Sequence, residues 1–222
     1  MLVCDRLIKS KVNNSMVSDL RLKSGLMIMI LCAVVLSGCV SQRTGSENYA
    51  EHKVTEPWKP DGIIGAGEYA RSLVMQDEGG SGKRFEVWWR NDAQYIYMAM
   101  AGQTKGWVAI GFEPSVWMKN ADMVLGFVNA GNVTVQDQNS TGNYGPHVPD
   151  VALGGTDDIL EYGGSQNQSF TTIEFKRRMN TGDRFDKAFV QGQVVPVIWG
   201  LSDSIRVDEK HSADGKGSLS LE

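Results

Sequence analysis

The pattern of polar and apolar positions changes near residue 61. Residues 40–60 are polar, include Pro57 and Pro60, and show no sustained apolar period, so residues 39–60 are interpreted as a flexible tether. From residue 61 onward, short apolar or alternating runs are separated by Gly, Asn and Asp, which is typical of strands joined by turns. No window shows a long helical period with capping residues.

The short runs predict many strands at regular spacing. The candidates are Arg71–Gln76, Phe85–Arg90, Tyr95–Ala101, Trp107–Phe112, Asp122–Asn129, Asn132–Asp137, Asp158–Tyr162, Phe170–Arg178 and Val194–Leu201. Turn-forming residues separate several of them, as in Asn129-Ala130-Gly131-Asn132. This pattern predicts an all-β fold over residues 61–222, an antiparallel, immunoglobulin-like β-sandwich in a single domain.

One long segment, Gln138–Gly155, is rich in Asn, Ser, Gly, Pro and Asp and is predicted to be a loop. It contains His147 between two prolines, Pro146 and Pro149, which restrict the backbone on either side. His147 is a candidate metal ligand or ligand contact. The alternative, which the sequence favours, is that its side chain supports its own proline-rich loop.

The N-terminus resembles a secretory signal. A basic stretch precedes the short apolar run Gly25–Leu36, which ends in Leu36-Ser37-Gly38-Cys39, a pattern similar to the lipobox of prokaryotic lipoproteins. Residues 1–38 are therefore expected to be a signal peptide of the lipoprotein type. Cys39 would then be lipidated and would hold the protein on the cell membrane, facing outside the cytoplasm. The alternative is an uncleaved N-terminal anchor helix.

Cysteine content and charge narrow the function classes. Cys4 and Cys32 lie in the expected signal peptide and Cys39 would carry lipid, so no disulfide or thiolate metal site is expected in the folded part. No Cys-x-x-Cys-His occurs, so a covalently attached c-type haem is not expected. The net charge of −4 argues against a nucleic-acid partner. Common hydrolase and phosphate-loop motifs are missing from the sequence, so an autonomous enzyme is not expected.

Aromatic residues supply further candidates. Trp88 and Trp89 are adjacent on one predicted strand, so they face opposite sides and one of them lies outside the core. Trp89 and Trp117 are retained as candidate ligand contacts, because an exposed flat ring can stack on a sugar or on a porphyrin edge. The alternative is that both tryptophans only pack.

Several sequence blocks, in their order and spacing, resemble the DOMON domain, an extracytoplasmic β-sandwich that includes the haem domain of cellobiose dehydrogenase. The resemblance extends over roughly residues 61–222. The blocks are Gly106–Phe112, Met118–Val124, Gly131 with Val133, Val135 and Asp137, Gly154–Ile159, Thr171–Arg177, Thr181–Asp183 and Val197–Trp199.

The resemblance implies a cofactor and its ligands. In haem-binding members, one axial ligand is a Met in the loop before the acidic strand and the other is a His near the final strand, positions that match Met118 and His211 here. The implied function is binding of haem b and electron transfer to a redox partner protein. Met123 follows Asp122 directly and is expected to point to the core instead. The alternative function is a haem-free module at the cell surface that binds a sugar, another ligand or a protein.

Overall fold

The computed structural model describes residues 49–222, which fold mainly into strands. The only helix in this range is the one-turn α1 (Asp150–Leu153), and no helix here is long and apolar enough to cross a membrane. The strands are β1 (Ala50–Glu51), β2 (Arg71–Met75), β3 (Phe85–Asn91), β4 (Tyr95–Gly102), β5 (Val108–Phe112), β6 (Asp122–Asn129), β7 (Asn132–Ser140), β8 (His147–Pro149), β9 (Glu161–Gln166), β10 (Thr171–Arg178), β11 (Val194–Leu201) and β12 (Ala213–Ser220).

The strands form two six-stranded antiparallel sheets that pack face to face. The first sheet has the order β1-β2-β3-β4-β10-β9, and the second has the order β12-β11-β5-β6-β7-β8. Large apolar side chains from both sheets fill the space between them, and the Phe85 ring of the first stacks on the Trp199 ring of the second at 4.7 Å between centroids. The predicted antiparallel β-sandwich in a single domain is therefore confirmed.

A buried ion pair connects the two sheets. Arg177 lies on β10 in the first sheet, and its Nη1 donates to both carboxylate oxygens of Asp122, on β6 in the second sheet, at 2.9 and 2.7 Å. Both side chains are fully buried. Two charges removed from water are tolerated only when they are paired and hydrogen-bonded, so this contact fixes which face of each strand turns inward.

The folded region begins earlier than the expected boundary at residue 61. β1 pairs with β2, and the Tyr49 ring packs edge-on against Trp89 at 6.1 Å. Nearby, the Trp58 indole N–H donates to the Tyr69 hydroxyl at 2.9 Å. Residues 49–60 are therefore part of the sandwich and not of a tether. The expected signal peptide, Cys39 and the rest of the expected tether lie outside the described residues.

Two other segments differ from the sequence-based prediction. The expected loop Gln138–Gly155 contains the end of β7, the whole of β8 and α1, because β8 adds to the edge of the second sheet through pairs such as Ser140 with His147. The strand expected at Asp158–Tyr162 runs instead from Glu161 to Gln166, where it pairs with β10.

A second buried acid holds the segment 58–69 on the first sheet. Glu174, on β10, is fully buried and accepts hydrogen bonds from the Tyr69 hydroxyl at 2.6 Å and from the Gly62 N–H at 2.5 Å. Burial and, to a smaller extent, the nearby acids Glu68 and Asp61 raise the pKa of Glu174 to about 7, although the hydrogen bonds from Tyr69 and Gly62 oppose the shift. The carboxyl group therefore binds a proton more tightly in the folded state than in the unfolded state.

This shift predicts that part of the protein's stability is lost as pH rises. Because the pKa of Glu174 is raised on folding, its ionisation lowers the free energy of unfolding between about pH 4.5 and pH 7, by at most about 1.4 kcal/mol per pH unit. Glu174→Gln is expected to flatten this dependence in urea unfolding measured from pH 4.5 to 7.5. The exposed Glu56→Gln serves as the control and is expected to leave the slope unchanged; equal slopes in all three proteins would contradict the assignment.

Candidate functional site

The outer face of the second sheet, which turns away from the first sheet, carries the candidate ligands. Asp122 points inward to Arg177, so Met123 projects from the opposite face because successive side chains of a strand alternate. A Cβ added to Gly111 would lie 3.2 Å from Met123 Cγ and 3.0 Å from Ile198 Cγ1, which places Met123 beside β5 and β11 on this face. The expectation that Met123 points to the core is therefore wrong.

The centre of this face is apolar and screened from water. Its cluster of apolar side chains comprises Trp107, Ala109 and Leu125, with Phe127 and Val207 packed against them. The segment that precedes β12 covers part of the cluster, and the Trp107 indole N–H donates to the carbonyl of Arg206 at 3.1 Å. Gly200 lies within the cluster, since a Cβ at this position would be 3.4 Å from His211 Cβ and 3.6 Å from the Trp107 ring.

His211 is half-buried at the border of the apolar cluster. Its Nδ1 lies 3.1 Å from Oδ1 of Asp214, three residues further along the chain. A carboxylate at one ring nitrogen orients the imidazole and leaves the other nitrogen, Nε2, as the one available to a metal. The His-x-x-Asp spacing in the sequence is the signal that could have identified Asp214 as the partner.

A second imidazole, His147 on β8, belongs to the same face. Its Nδ1 lies 2.5 Å from Oε1 of Gln138, a buried side chain on β7 whose cross-strand partner on β6 is Met123. Burial lowers the pKa of His147, and the positive charge that His211 can carry lowers it further. His147 is therefore held neutral by its surroundings and contacts a strand neighbour, which the sequence-based view of a loop histidine did not reveal.

Met118 lies in the loop between β5 and β6. Its side chain is half-buried, its N–H donates to the Asn143 carbonyl at 3.1 Å, and its own carbonyl accepts from Ala121 at 3.0 Å. The loop thus packs on the turn that leads into β8 and His147. Among the described residues, no hydrogen bond or ion pair joins Met118 to His211: His211 lies beside Gly200, which pairs with Ala109 near the start of β5, whereas Met118 follows the end of β5.

Two exposed aromatic side chains extend from these loops. Trp117 is 66 % exposed and Tyr144 is 79 % exposed, and their rings lie 5.8 Å apart between centroids with an interplanar angle of 35°. Trp117 also has φ of +54°, in the left-handed region that bulky residues rarely adopt. Such backbone strain persists only where the surrounding structure imposes it. Strained residues are frequent at ligand-binding sites.

The other tryptophan candidate is not available to a ligand. Trp89 is fully buried between the sheets, and its indole N–H donates to the Ser220 carbonyl at 3.0 Å. Its neighbour Trp88 is the half-exposed member of the pair. The proposed contact through Trp89 is therefore contradicted, because the alternation of β3 directs Trp89 inward.

Comparisons with known proteins agree with this architecture. Residues 81–202 match the model of the DOMON domain family. The human DBH-like monooxygenase protein 1 is 29 % identical over 156 residues, which is 69 % of this chain and 24 % of the human protein. The MOXD1 homolog 1 of Drosophila melanogaster is 30 % identical over 122 residues, or 53 % of this chain and 17 % of that protein. The chain thus spans about a quarter or less of these relatives.

Among solved structures, the cytochrome domain of Myriococcum thermophilum cellobiose dehydrogenase superimposes with a TM-score of 0.50 at 15 % identity, over 68 % of this chain and 82 % of that domain. The cytochrome b domain of Coprinopsis cinerea pyranose dehydrogenase gives a TM-score of 0.48 at 13 % identity, with the same coverage. The first similarity supports a common fold. Because the family model covers more than half of its length, the chain belongs to the DOMON domain family.

Proposed function

We propose that this DOMON domain binds one b-type haem at the outer face of the second sheet and transfers single electrons to a partner protein. The observation that carries the proposal is His211, which borders an apolar cluster and is oriented by Asp214 through Nδ1. Met118 supplies the second axial ligand in this proposal. The solved domains with which the chain shares similarity are described as cytochrome domains, which adds support from outside the chain.

The residues present fit such a group. An imidazole and a thioether are neutral ligands that suit a b-type haem iron, which when bound supplies a one-electron couple. The buried apolar cluster of Trp107, Ala109 and Leu125 beside His211 excludes water from this part of the face. Asp214 holds the His211 ring in one orientation. Nearby, burial lowers the pKa of His147, which favours its uncharged form.

The alternative is a surface site for a carbohydrate or another flat ligand, and one observation favours it. Trp117 and Tyr144 are both exposed, lie at stacking range, and come from loops whose backbones are hydrogen-bonded to each other through Met118 and Asn143. A pair of aromatic rings held on a strained loop can stack on a sugar ring. Such a site would operate without haem and without Met118 or His211 as ligands.

The location is a further part of the proposal. Cleavage before Cys39 would leave a thiol for lipid attachment, as Leu36-Ser37-Gly38-Cys39 indicates. Because Tyr49 and β1 already belong to the sandwich, the folded domain would begin about ten residues after the lipid. Attachment would therefore keep the domain close to the membrane surface, where a membrane-bound redox partner is accessible.

The haem proposal predicts a low-spin absorption spectrum when haem is added to the purified, haem-free protein. Met118→Ala and His211→Ala are each expected to give a high-spin spectrum, because each removes one axial ligand. Asp214→Asn is expected to retain haem with a changed reduction potential, since it weakens the hydrogen bond that orients His211.

The controls separate the two methionines and the two imidazoles. Met98→Leu in the core is expected to retain the low-spin spectrum, and so is Met123→Leu, although Met123 lies on the same face. A high-spin spectrum for Met123→Leu together with an unchanged spectrum for Met118→Ala would show that Met123, and not Met118, is the methionine ligand. If His147→Ala loses the low-spin spectrum and His211→Ala retains it, the histidine ligand is His147 and not His211. No spectral change with stoichiometric haem would reject haem binding altogether.

The surface-ligand alternative predicts saturable binding to at least one member of a glycan array. Trp117→Ala and Tyr144→Ala are expected to weaken this binding by about tenfold or more, since an aromatic stacking contact contributes roughly 0.5–1.5 kcal/mol in addition to its buried area. Tyr162→Ala, which removes an exposed ring from β9, is the matched control and is expected to bind normally. Equal loss in all three variants would point to a nonspecific aromatic effect.

The location proposal predicts that Cys39→Ser moves the protein out of the membrane fraction or leaves it unprocessed. The substitution removes the thiol that would carry the lipid and leaves residues 49–222 unchanged. Fractionation and mass measurement of the wild-type and Cys39→Ser proteins distinguish the outcomes. A variant that remains in the membrane fraction at its processed mass rules out lipidation at this residue.

A further inference from the structure

Three aspartates converge on the interior side of the second sheet, opposite to the face that carries the imidazoles, and a fourth aspartate lies near them. Asp122, Asp137 and Asp186 each have a carboxylate oxygen within 4.8 Å of the others. The fourth is Asp150, the first residue of α1. The side chains of Asp122 and Asp186 are almost completely shielded, and Asp137 and Asp150 are 3 % and 0 % exposed.

The register of the sheet explains why Asp150 lies near the group. Gln138 on β7 is the cross-strand partner of Pro149, the last residue of β8, and Asp150 follows Pro149 directly. Gln138 is directed to the outer face with His147, and alternation along β7 therefore directs Asp137 to the interior. Asp150 is 0 % exposed, and the nearby acids Asp186 and Asp122 raise its pKa, so it lies near the same group.

The hydrogen-bond donors near this group do not satisfy it. Arg177 and the Lys187 N–H occupy the oxygens of Asp122, and the Asp158 N–H donates to Oδ2 of Asp137. Five buried carboxylate oxygens have no hydrogen-bond partner: Oδ1 of Asp137 and both oxygens of Asp150 and of Asp186. Arg177 Nη2 lies 3.6 Å from Asp186 Oδ2, an ion pair that is too long for a hydrogen bond.

Asp150 is the most informative member. An acidic residue in the first turn of a helix often accepts a hydrogen bond from a backbone N–H, but Asp150 is fully buried and both of its carboxylate oxygens lack a partner. An unsatisfied buried carboxylate costs free energy, so a residue of this kind requires an explanation in a native fold. The burial raises the pKa of Asp150 to about 7 and that of Asp137 to about 8, with Asp186 contributing to both shifts.

The buried aspartates require positive charge to neutralise them. Arg177 is the one buried side-chain cation among the four aspartates in the described range, and it is already engaged by Asp122. Without a cation, protons partly neutralise Asp137 and Asp150 near neutral pH, because the pKa values of these two groups are raised to about 8 and about 7, and a bound cation would displace those protons. Near neutral pH, the unpaired oxygens match a hard cation that takes six to eight oxygen ligands, accepts bidentate carboxylates and tolerates irregular geometry, which describes calcium better than magnesium.

We propose that Asp137 and Asp186 bind one calcium ion inside the sandwich as a structural ion, and that Asp150, which lies near them, joins them as a further ligand when the ion is bound. Main-chain carbonyls and water complete its coordination. The ion joins β7, the β8–α1 segment and the loop after β10, and it thereby fixes the position of the edge strand that carries His147. The site is separate from the proposed haem site, because it lies on the opposite side of the second sheet.

The test uses the full chain, treated with a chelator and then titrated with calcium chloride by isothermal calorimetry and by thermal unfolding. We expect one calcium ion per chain and an increase in the midpoint of thermal unfolding at pH 7.5. Sodium chloride at the same ionic strength controls for charge screening and is expected to give a much smaller increase. No binding heat together with equal midpoints in calcium and in chelator overturns the proposal.

Substitutions distinguish a calcium ligand from a residue that is important only for packing. Asp150→Asn is expected to weaken calcium binding by about tenfold or more while leaving the chelated protein as stable as the wild type, or more stable, because it removes an unpaired buried charge. Asp186→Asn provides a second ligand variant if the first folds poorly. The exposed Asp157→Asn is matched in charge and is expected to bind calcium normally. A normal calcium response in both ligand variants, or an equal loss in Asp157→Asn, overturns the assignment.

Discussion

The ion pair between Arg177 and Asp122 determines which side chains of β6 face the interior of the sandwich and which face outward. Because Arg177 is buried in the first sheet, Asp122 has to face it, and the alternation of β6 then places Met123 on the outer face. Loss of one partner would leave an uncompensated buried charge, at a cost of about 3–5 kcal/mol. The same contact therefore stabilises the sandwich and separates an acidic interior side of the sheet from an outer side with neutral ligands.

Much of the fold follows from the sequence where apolar alternation is strong. The strands Asp122–Asn129 and Val194–Leu201 were predicted with the boundaries that the structure has. β12 lacks such a signal because half of its residues are Gly or Ser, yet it pairs along its full length with β11. Gly215 is needed there because a Cβ would come within 2.7 Å of the Trp199 indole nitrogen and 2.5 Å of the Gln76 carbonyl, neither of which is close in sequence.

The candidate site was only partly predictable. The resemblance to DOMON domains indicated Met118 and His211, and the structure places His211 beside the apolar cluster and Met118 in the loop between β5 and β6. The orientation of Met123 could not be read from its own strand, because it depends on Arg177, 55 positions from Asp122 in the chain. Similarly, alternation shows that Trp88 and Trp89 face opposite ways but not which of them is inside. Long-range partners decide such questions, and a local pattern does not contain them.

The edge strand β8 and the start of α1 connect the two sides of the sheet. Within four residues, His147 contacts Gln138 on the outer face, and Asp150 lies near the acidic group in the interior. A strand at the edge of a sheet has one neighbour only, so its position depends strongly on side-chain contacts. A cation held by Asp150 would restrict β8 from the interior side, and the position of His147 on the other side would follow. Calcium and a ligand of the outer face would then be coupled through three residues of backbone, although they never touch.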